Sequence, residues 1–551
     1  MKVLTNKSLS SLYPYLGLIL LISPSVVWIS LDRHVWPYDQ AWYGQVSVEL
    51  FYKLINSPLG WLWATINALG SKAPGVAWFG QLFVPLGSAI GSIDAGLLLS
   101  ILVTQLMTLV LMFETFIELS GGRKLIAMTG CLAIASAPLF VAMSHQYFVE
   151  PMQTLAVAWF VLIMSFAPKW SKKLILNQLI AATSFAMLAK VSSPMYCLGP
   201  GLVGLAYLFR KKERSPIQNY EKWERQAIAG SFILAILLTT AALAWYVKNW
   251  NSISSYVISV SSDESFQSLY GKKDSLINKI LYWLDATRSS FFYQGTSILV
   301  IMTFILAISI AIFRYIKKGS KPQNHFNLCA LVSFLQIFFV LRTFWSNIVE
   351  EHRYLLPLII YFAVIISWSL VQINRKFVTS LLIAALILQL LFVHSQALNI
   401  SYPNATISYW LHPLDQNPDN ANDLNEIAKR TCSETSKNRY NIVAIELPWL
   451  NSNSMSYFAA KQLEPLQIRC YYTSLGYTEN NLDKAWERLL SLNTNYFIAP
   501  NRTFYPDASD PFNRVALLAL EKVQNSRVFR LESSVNNSKI NLFKKIGSSS
   551  Q

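Results

Sequence analysis

An apolar run from Leu12 to Leu31 leads directly into Trp36-Pro37-Tyr38-Asp39-Gln40-Ala41-Trp42-Tyr43. The run is long enough to cross a bilayer, which takes about 20 apolar residues. Just beyond it the chain presents one acidic side chain among aromatics of the kind that anchor at the lipid headgroup level. A carboxylate held at that surface is placed to act on a substrate carried in the lipid. Asp39 is therefore the first residue whose presence needs a reason.

Outward from this stretch the apolar pattern repeats. Runs of similar character recur at 12–31, 95–119, 125–143, 152–168, 174–190, 195–209, 226–247, 295–313, 326–342, 355–373 and 378–396, eleven in all, of which the fifth and sixth are short. With 53% hydrophobic and 14% charged residues over 551 positions and a mean hydropathy of +0.34, the chain reads as a polytopic, all-α membrane protein. Its basic residues mark the sides. Lys2 and Lys7, Arg123-Lys124, Lys169 with Lys172-Lys173, Arg210-Lys211-Lys212-Glu213-Arg214, Arg314 with Lys317-Lys318, and Arg375-Lys376 fall between alternate spans and can all be cytoplasmic together. An odd number of crossings then puts the N-terminus inside. Outside lie the loops 32–94, 144–151, 191–194, 248–294 and 343–354, and everything after about Gln396. The net charge of +16 tracks this sidedness and headgroup contact, so it argues against nucleic-acid binding.

The first span lacks a small-residue cleavage site and reads as a retained helix. Five cysteines are too few for a disulfide scaffold. Cys131, Cys197 and Cys329 fall in predicted spans, whereas Cys432 and Cys470 both fall in the outer tail, where a bridge is chemically permitted.

Two outer regions exceed what connection needs. Loop 32–94 carries helical spacing at Gln45 to Leu54 and Leu59 to Leu69, suited to helices lying in the interface. The boundaries predicted are a membrane domain over 1–396, a proline-marked linker over 397–425, and an extracytoplasmic α/β domain over 426–551. In that domain 441–447, 467–472 and 496–499 read as strands, and 527–531 with 539–543 as a closing pair. Helices are expected over Ser454 to Leu463, Leu482 to Leu492, and Asp510 to Gln524 with Asp510 as cap and Pro511 at the first position. The tail has no glycine-rich nucleotide loop and no metal-spaced Cys/His set.

On the predicted outer face, polar and charged residues gather at span ends: Asp39, Lys72, His145, Glu150, Lys190, Lys248, Arg288, His352 and Arg353. Each has a plain structural reading. Asp39 could pair with Arg33 or cap a helix, Glu150 beside Pro151 could cap the fourth span, and Lys190 and Lys248 could snorkel or anchor at the interface. His145 and His352 lack metal-ligand spacing, and no metal site is assigned; if a divalent cation takes part, Asp39 and Glu150 are the carboxylates to share it.

Taken in order, Asp39, Lys72-Ala73-Pro74, His145-Gln146-Tyr147-Phe148-Val149-Glu150-Pro151, Trp245-Tyr246-Val247-Lys248-Asn249 and His352-Arg353-Tyr354-Leu355-Leu356-Pro357 resemble the C-type glycosyltransferase superfamily. The likeness is greatest to the branch with protein O-mannosyltransferases and the aminoarabinose transferases of lipid A, and it covers roughly 1–395. That family commonly has Asp-Glu in the first loop, where this chain has Asp39-Gln40, so a second acidic function falls to Glu49 or Glu150. Its two-proline motif is reduced to Pro74.

The resemblance implies transfer of a sugar from a polyprenyl phosphate to a lipid, glycan or protein acceptor at the outer face. Such a donor diffuses in the bilayer and carries a good leaving group, so the enzyme needs a carboxylate to take the acceptor proton and cations to hold the departing phosphate. Asp39 fits the base. Lys72, Lys190, Arg288 and Arg353 fit the phosphate, Arg as a fork and Lys as a point charge. Direct displacement would invert the anomeric carbon. The competing class is a transporter or flippase of lipid-linked sugars, for which intramembrane charges and paired broken helices are expected. A third is a scaffold without activity, against which Asp39 tells.

Overall fold

The computed structural model describes residues 4–210, 221–262, 274–318, 324–347, 349–400, 411–432, 440–468, 470–476, 478–506, 510–536 and 539–546. Residues 211–214 and, within the predicted linker, 401–410 with Pro403 lie outside them. The described chain forms two compact units. One comprises 1–30, 66–76 and 98–413, the other 31–65, 77–97 and 414–551.

In the first unit all eleven apolar runs are helical. They correspond to α1 (Leu4–Leu31), α6 (Ile93–Leu119), the pair α7 (Lys124–Ala135) and α8 (Pro138–Ser144), α9 (Glu150–Phe166), α10 (Lys172–Ala189), α11 (Ser193–Arg210), α12 (Glu221–Ser262), α14 (Gln294–Lys318), α15 (Asn324–Trp345), α16 (Leu358–Ile373) and α17 (Lys376–Ala397). Among the described residues six helices are long and apolar enough to cross a membrane, or seven if the α7/α8 pair, bent by 66°, counts as one span. The shorter apolar helices α9 and α16 are buried along almost their whole length. By contrast α12 and α14 leave Leu237, Val247, Ile301 and Phe313 exposed. Apolar surface on that scale suits contact with lipid.

The bend between α7 and α8 arises from Pro138, which cannot donate to the helical ladder. Past the bend Phe140 N donates to Ala137 O at 2.9 Å, and the Ser136 carbonyl accepts instead from Gln389 Nε2 at 2.9 Å, which also bonds the Phe291 carbonyl at 3.0 Å. Inside the segment read as a plain outer loop, Leu276–Phe291 forms a helix, α13. It buries Lys279, Trp283, Ala286, Thr287 and Ser290, the spacing of one helical face.

The second unit joins the tail to α2 (Tyr38–Asn56), α3 (Pro58–Asn67) up to Thr65, α4 (Gly75–Gly80) from Ala77, α5 (Val84–Ala89) and the start of α6. The loop is therefore not simply part of the membrane domain as its position in sequence suggests. The buried side of α2, from Gln40 and Ala41 to Leu50, packs on a helix of the tail, α19 (Ser452–Leu463). Helix α3 has no fully buried residue and exposes Leu59, Leu62 and Trp63.

The tail folds on a five-stranded sheet of order β2-β1-β3-β5-β4, built from β1 (Tyr440–Val443), β2 (Tyr471–Ser474), β3 (Thr494–Pro500), β4 (Phe529–Val535) and β5 (Ile540–Lys545). β1 runs parallel to β2 and β3, and β5 antiparallel to β3 and β4. Alternate residues face opposite sides. Val443, Ile445 and Ile498 meet α18 (Asp419–Thr431) and α19, while Ile442, Ala444 and Phe497 meet α20 (Leu482–Ser491) and α21 (Ala516–Asn525). The Cys432–Cys470 bridge is present.

Three tail expectations need correction. α18 begins at Asp419 and buries Leu424 in the core, so the chain is already folded inside the stretch read as linker. The second strand starts at Tyr471, because Gln467 takes a left-handed φ of 58° after the short turn of helix at Glu464–Leu466. The last helix starts at Ala516. Asp510 does accept the Phe512 N–H at 2.9 Å, but together with Asn513 it closes a turn and not a helix.

Candidate functional site

Glu150 opens α9 after Val149, with Pro151 at the position where a missing N–H costs nothing. Its side chain is 1% exposed, and Lys190 Nζ lies 2.8 Å from Oε1. Arg353 Nε is 3.7 Å from the same oxygen and 3.4 Å from Glu351 Oε2. Glu150 Oε2 is buried and, among the described residues, has no hydrogen-bond partner.

Each cation is placed by its own local structure. Lys190 ends α10 in an extended conformation, φ −163° and ψ 137°, which turns its side chain off the helix. Its ammonium sits 4.0 Å over the Tyr354 ring. Arg353 lies in a short turn of helix, His352–Leu355, with its guanidinium 4.4 Å over Phe148. Tyr354 is fixed in turn, since Tyr196 donates to its carbonyl at 2.7 Å and Tyr361 donates to the carbonyl of Tyr196.

Lys72 completes the group, close enough for its charge to act on Lys190. The segment carrying it is hung from α12, where Trp245 Nε1 donates to Ala68 O at 2.8 Å and Asn249 Nδ2 to Ile66 O at 2.8 Å. Gly75 lets that segment approach the end of α10, for a Cβ there would meet the Leu188 carbonyl oxygen at 2.7 Å. The Trp-Tyr-x-x-Asn stretch is thus a fastening for the Lys72 segment. Lys248, within it, is exposed.

The other candidates separate from this group. Arg288 is exposed and pairs with Asp285 on its own helix at 2.6 Å. His145 is buried and stacks on Trp28, centroids 4.1 Å apart, while Tyr147 donates to Val76 O at 2.8 Å. His352 Nε2 lies 3.0 Å from the Tyr282 hydroxyl, and burial holds its imidazole below the usual range. Among the described residues no three His, Cys, Asp or Glu side chains are grouped to hold a metal ion.

Asp39 belongs to the second unit, in the first turn of α2, half-buried. Before it, Pro37 is extended and Tyr38 has a φ of 37°. A tyrosine in that region carries strain on the order of 1 kcal/mol, which its surroundings must sustain. The aromatics expected to anchor in headgroups are engaged within the protein. Trp36 is buried against Tyr457, and the Tyr38 hydroxyl donates to Glu446 O at 3.3 Å. Glu49 accepts from Gln45 Nε2 at 2.6 Å.

Sequence reasoning did not single out Tyr196 or Glu351. Glu351 adjoins the His352-Arg353 motif and could have been flagged by its charge, whereas nothing in the sequence marks Tyr196.

No protein-family model matches the sequence, and no curated protein matches it either. Among solved structures, ArnT from Cupriavidus metallidurans bound to undecaprenyl phosphate aligns with 96% of this chain and 98% of its own, at 12% identity and a TM-score of 0.54. The same protein in the apo state aligns with 97% and 98%, at 12% identity and a TM-score of 0.56. The chain therefore shares the overall fold of ArnT along nearly its whole length.

Proposed function

We propose that the chain is a membrane glycosyltransferase that moves a sugar from a polyprenyl phosphate to an acceptor hydroxyl at the extracytoplasmic face. The observation that carries this reading is the convergence of Lys190 and Arg353 on Glu150, with Glu351 beside Arg353 and Lys72 close enough for its charge to act on Lys190. Its surplus positive charge suits a phosphate, and the fold is shared with a protein solved with undecaprenyl phosphate. The eleven helical runs would all cross, with the N-terminus inside and the tail outside. A cysteine placed at exposed Ser491 should then react with an impermeant reagent and one at Lys173 should not; the reverse pattern overturns the sidedness.

In the reaction, Asp39 accepts the proton of the acceptor hydroxyl as its oxygen attacks the anomeric carbon. The bond from that carbon to the phosphate oxygen breaks, and its electron pair leaves with the polyprenyl phosphate. Lys190, Arg353 and Lys72 stabilise the charge that develops there, and configuration is inverted. Glu150 aims the two nearer cations and keeps them from repelling one another. Purified protein should transfer label from a polyprenyl-phosphate sugar and ignore a nucleotide sugar. Activity with the nucleotide sugar alone would reject the lipid donor.

A further inference from the structure

In the second unit, helix α2 carries Asp39 and lies against α19 of the tail. Their contact is chemically dense. The Trp36 ring stacks on Tyr457 at 5.1 Å between centroids and 11° between planes, and Ser454 Oγ donates to the Trp36 carbonyl at 2.8 Å. Gly44, one and a half turns beyond Asp39, lies under the same ring. A Cβ there would meet Tyr457 Cε2 at 2.8 Å and Trp36 Cζ3 at 3.0 Å.

Tyr457, almost wholly buried, is itself tied at its far end. Its hydroxyl donates to Asp94, in the first turn of α6, and Lys461 Nζ bonds both oxygens of Asp94 at 2.9 and 3.0 Å. The Lys461 ammonium also covers the Phe458 ring at 4.0 Å and the Tyr457 ring at 4.5 Å. Trp36 and Gly44 thus grip one ring from positions that bracket Asp39, and the ring is locked by an ion pair.

We propose that α19 positions Asp39, with Asp94, Tyr457 and Lys461 forming the latch that sets the first turn of α2. Tyr38 at φ 37° needs such external restraint, because a side chain leaves that region when its surroundings loosen. The tail is then a working part of the transferase and not an accessory. The latch stands independently of Asp39 being the base; its effect on turnover rests on that reading.

Hydrogen exchange on the full-length protein in nanodiscs tests it, read over residues 38–50 and over β3 as a control. Lys461→Ala should speed exchange over 38–50 about tenfold, the scale of one lost charged hydrogen bond, and leave β3 protected. Lys461→Arg, which keeps the pair, should stay near wild type. If β3 also loses protection, Ser454→Ala removes only the hydrogen bond to Trp36 and should speed the same region to a lesser degree. With a polyprenyl-phosphate sugar donor, Lys461→Ala should lower kcat and leave the donor KM unchanged. Unchanged exchange over 38–50 in both variants overturns the latch. Faster exchange with unchanged kcat, where Asp39→Asn is inactive, overturns positioning. If Asp39→Asn retains full activity, the base assignment is what fails, and exchange alone decides the latch.

Discussion

Glu150 and Asp39 are both carboxylates in the first turn of a helix next to a proline or a Pro-Tyr pair, yet their surroundings are opposite. Glu150 is sealed among helices of the first unit, with Lys190 and Arg353 on one oxygen. Asp39 is half-buried in the second unit, after a strained tyrosine, on a helix packed against the tail. A carboxylate that neutralises two cations serves to hold them. Under the proposed mechanism Asp39 is instead the carboxylate that exchanges a proton.

Two substitutions can break this contrast. Asp39→Asn should lower turnover on the order of 10²- to 10⁴-fold, the usual cost of losing a positioned base, while expression and donor binding hold. Turnover within about threefold of wild type would return Asp39 to a structural role and move the search to Glu150. Glu150→Gln should fail differently. It removes the carboxylate that Lys190 and Arg353 share and leaves Arg353 with Glu351 alone, a change worth about 3 kcal/mol in a buried pair. The expected result is a lower melting temperature and weaker donor binding together, and a Glu150→Gln protein that melts normally but does not turn over would make Glu150 the catalytic carboxylate instead.

The sequence carried the helices because apolar runs of this length leave few alternatives, and it carried the tail's strands where a short continuous apolar run marks a strand buried on both faces, as at Tyr496 to Ala499. It could not show that Lys190 and Arg353, 163 positions apart, share one oxygen of Glu150, since that depends on where α10 ends and how the His352–Leu355 turn is seated. Nor could it show the docking of α2. Trp36 and Tyr38 have the composition of interfacial anchors, and only their partners, Tyr457 and the Glu446 carbonyl, reveal that they fasten the loop to the tail. Asp510 misled for a local reason: a side chain that caps a helix closes a turn equally well when Asn513 is there to complete it.

Glu446 sharpens the comparison from a third carboxyl. It comes after β1 in a crevice lined by Ile445, Leu475 and Val515, and among the described residues it has no ion pair. Burial pushes its carboxyl from the ordinary 4.5 up to about 8. With the folded value above the unfolded one, the folded state holds the proton longer, so the tail loses stability as pH rises from about 4.5 to about 8. Glu446→Gln should remove that slope, raising the melting temperature at the alkaline end and leaving the acid end unchanged. An identical slope in the variant would show that Glu446 is solvated.

The smallest effect is expected at Arg288, which sequence position alone ranks with Lys190 and Arg353. Its guanidinium is 43% exposed and pairs with Asp285, itself 68% exposed, one turn back on the same helix. Exposed pairs of this kind contribute about 0–1 kcal/mol, and nothing about the pair commits Arg288 to a phosphate. Arg288→Ala should therefore keep turnover within about twofold, where Arg353→Ala, which removes a cation from Glu150, should raise the donor KM on the order of tenfold or more. Equal losses in the two variants would mean that Arg288 leaves Asp285 when the donor binds, and the division between the gathered cations and the exposed one would no longer hold.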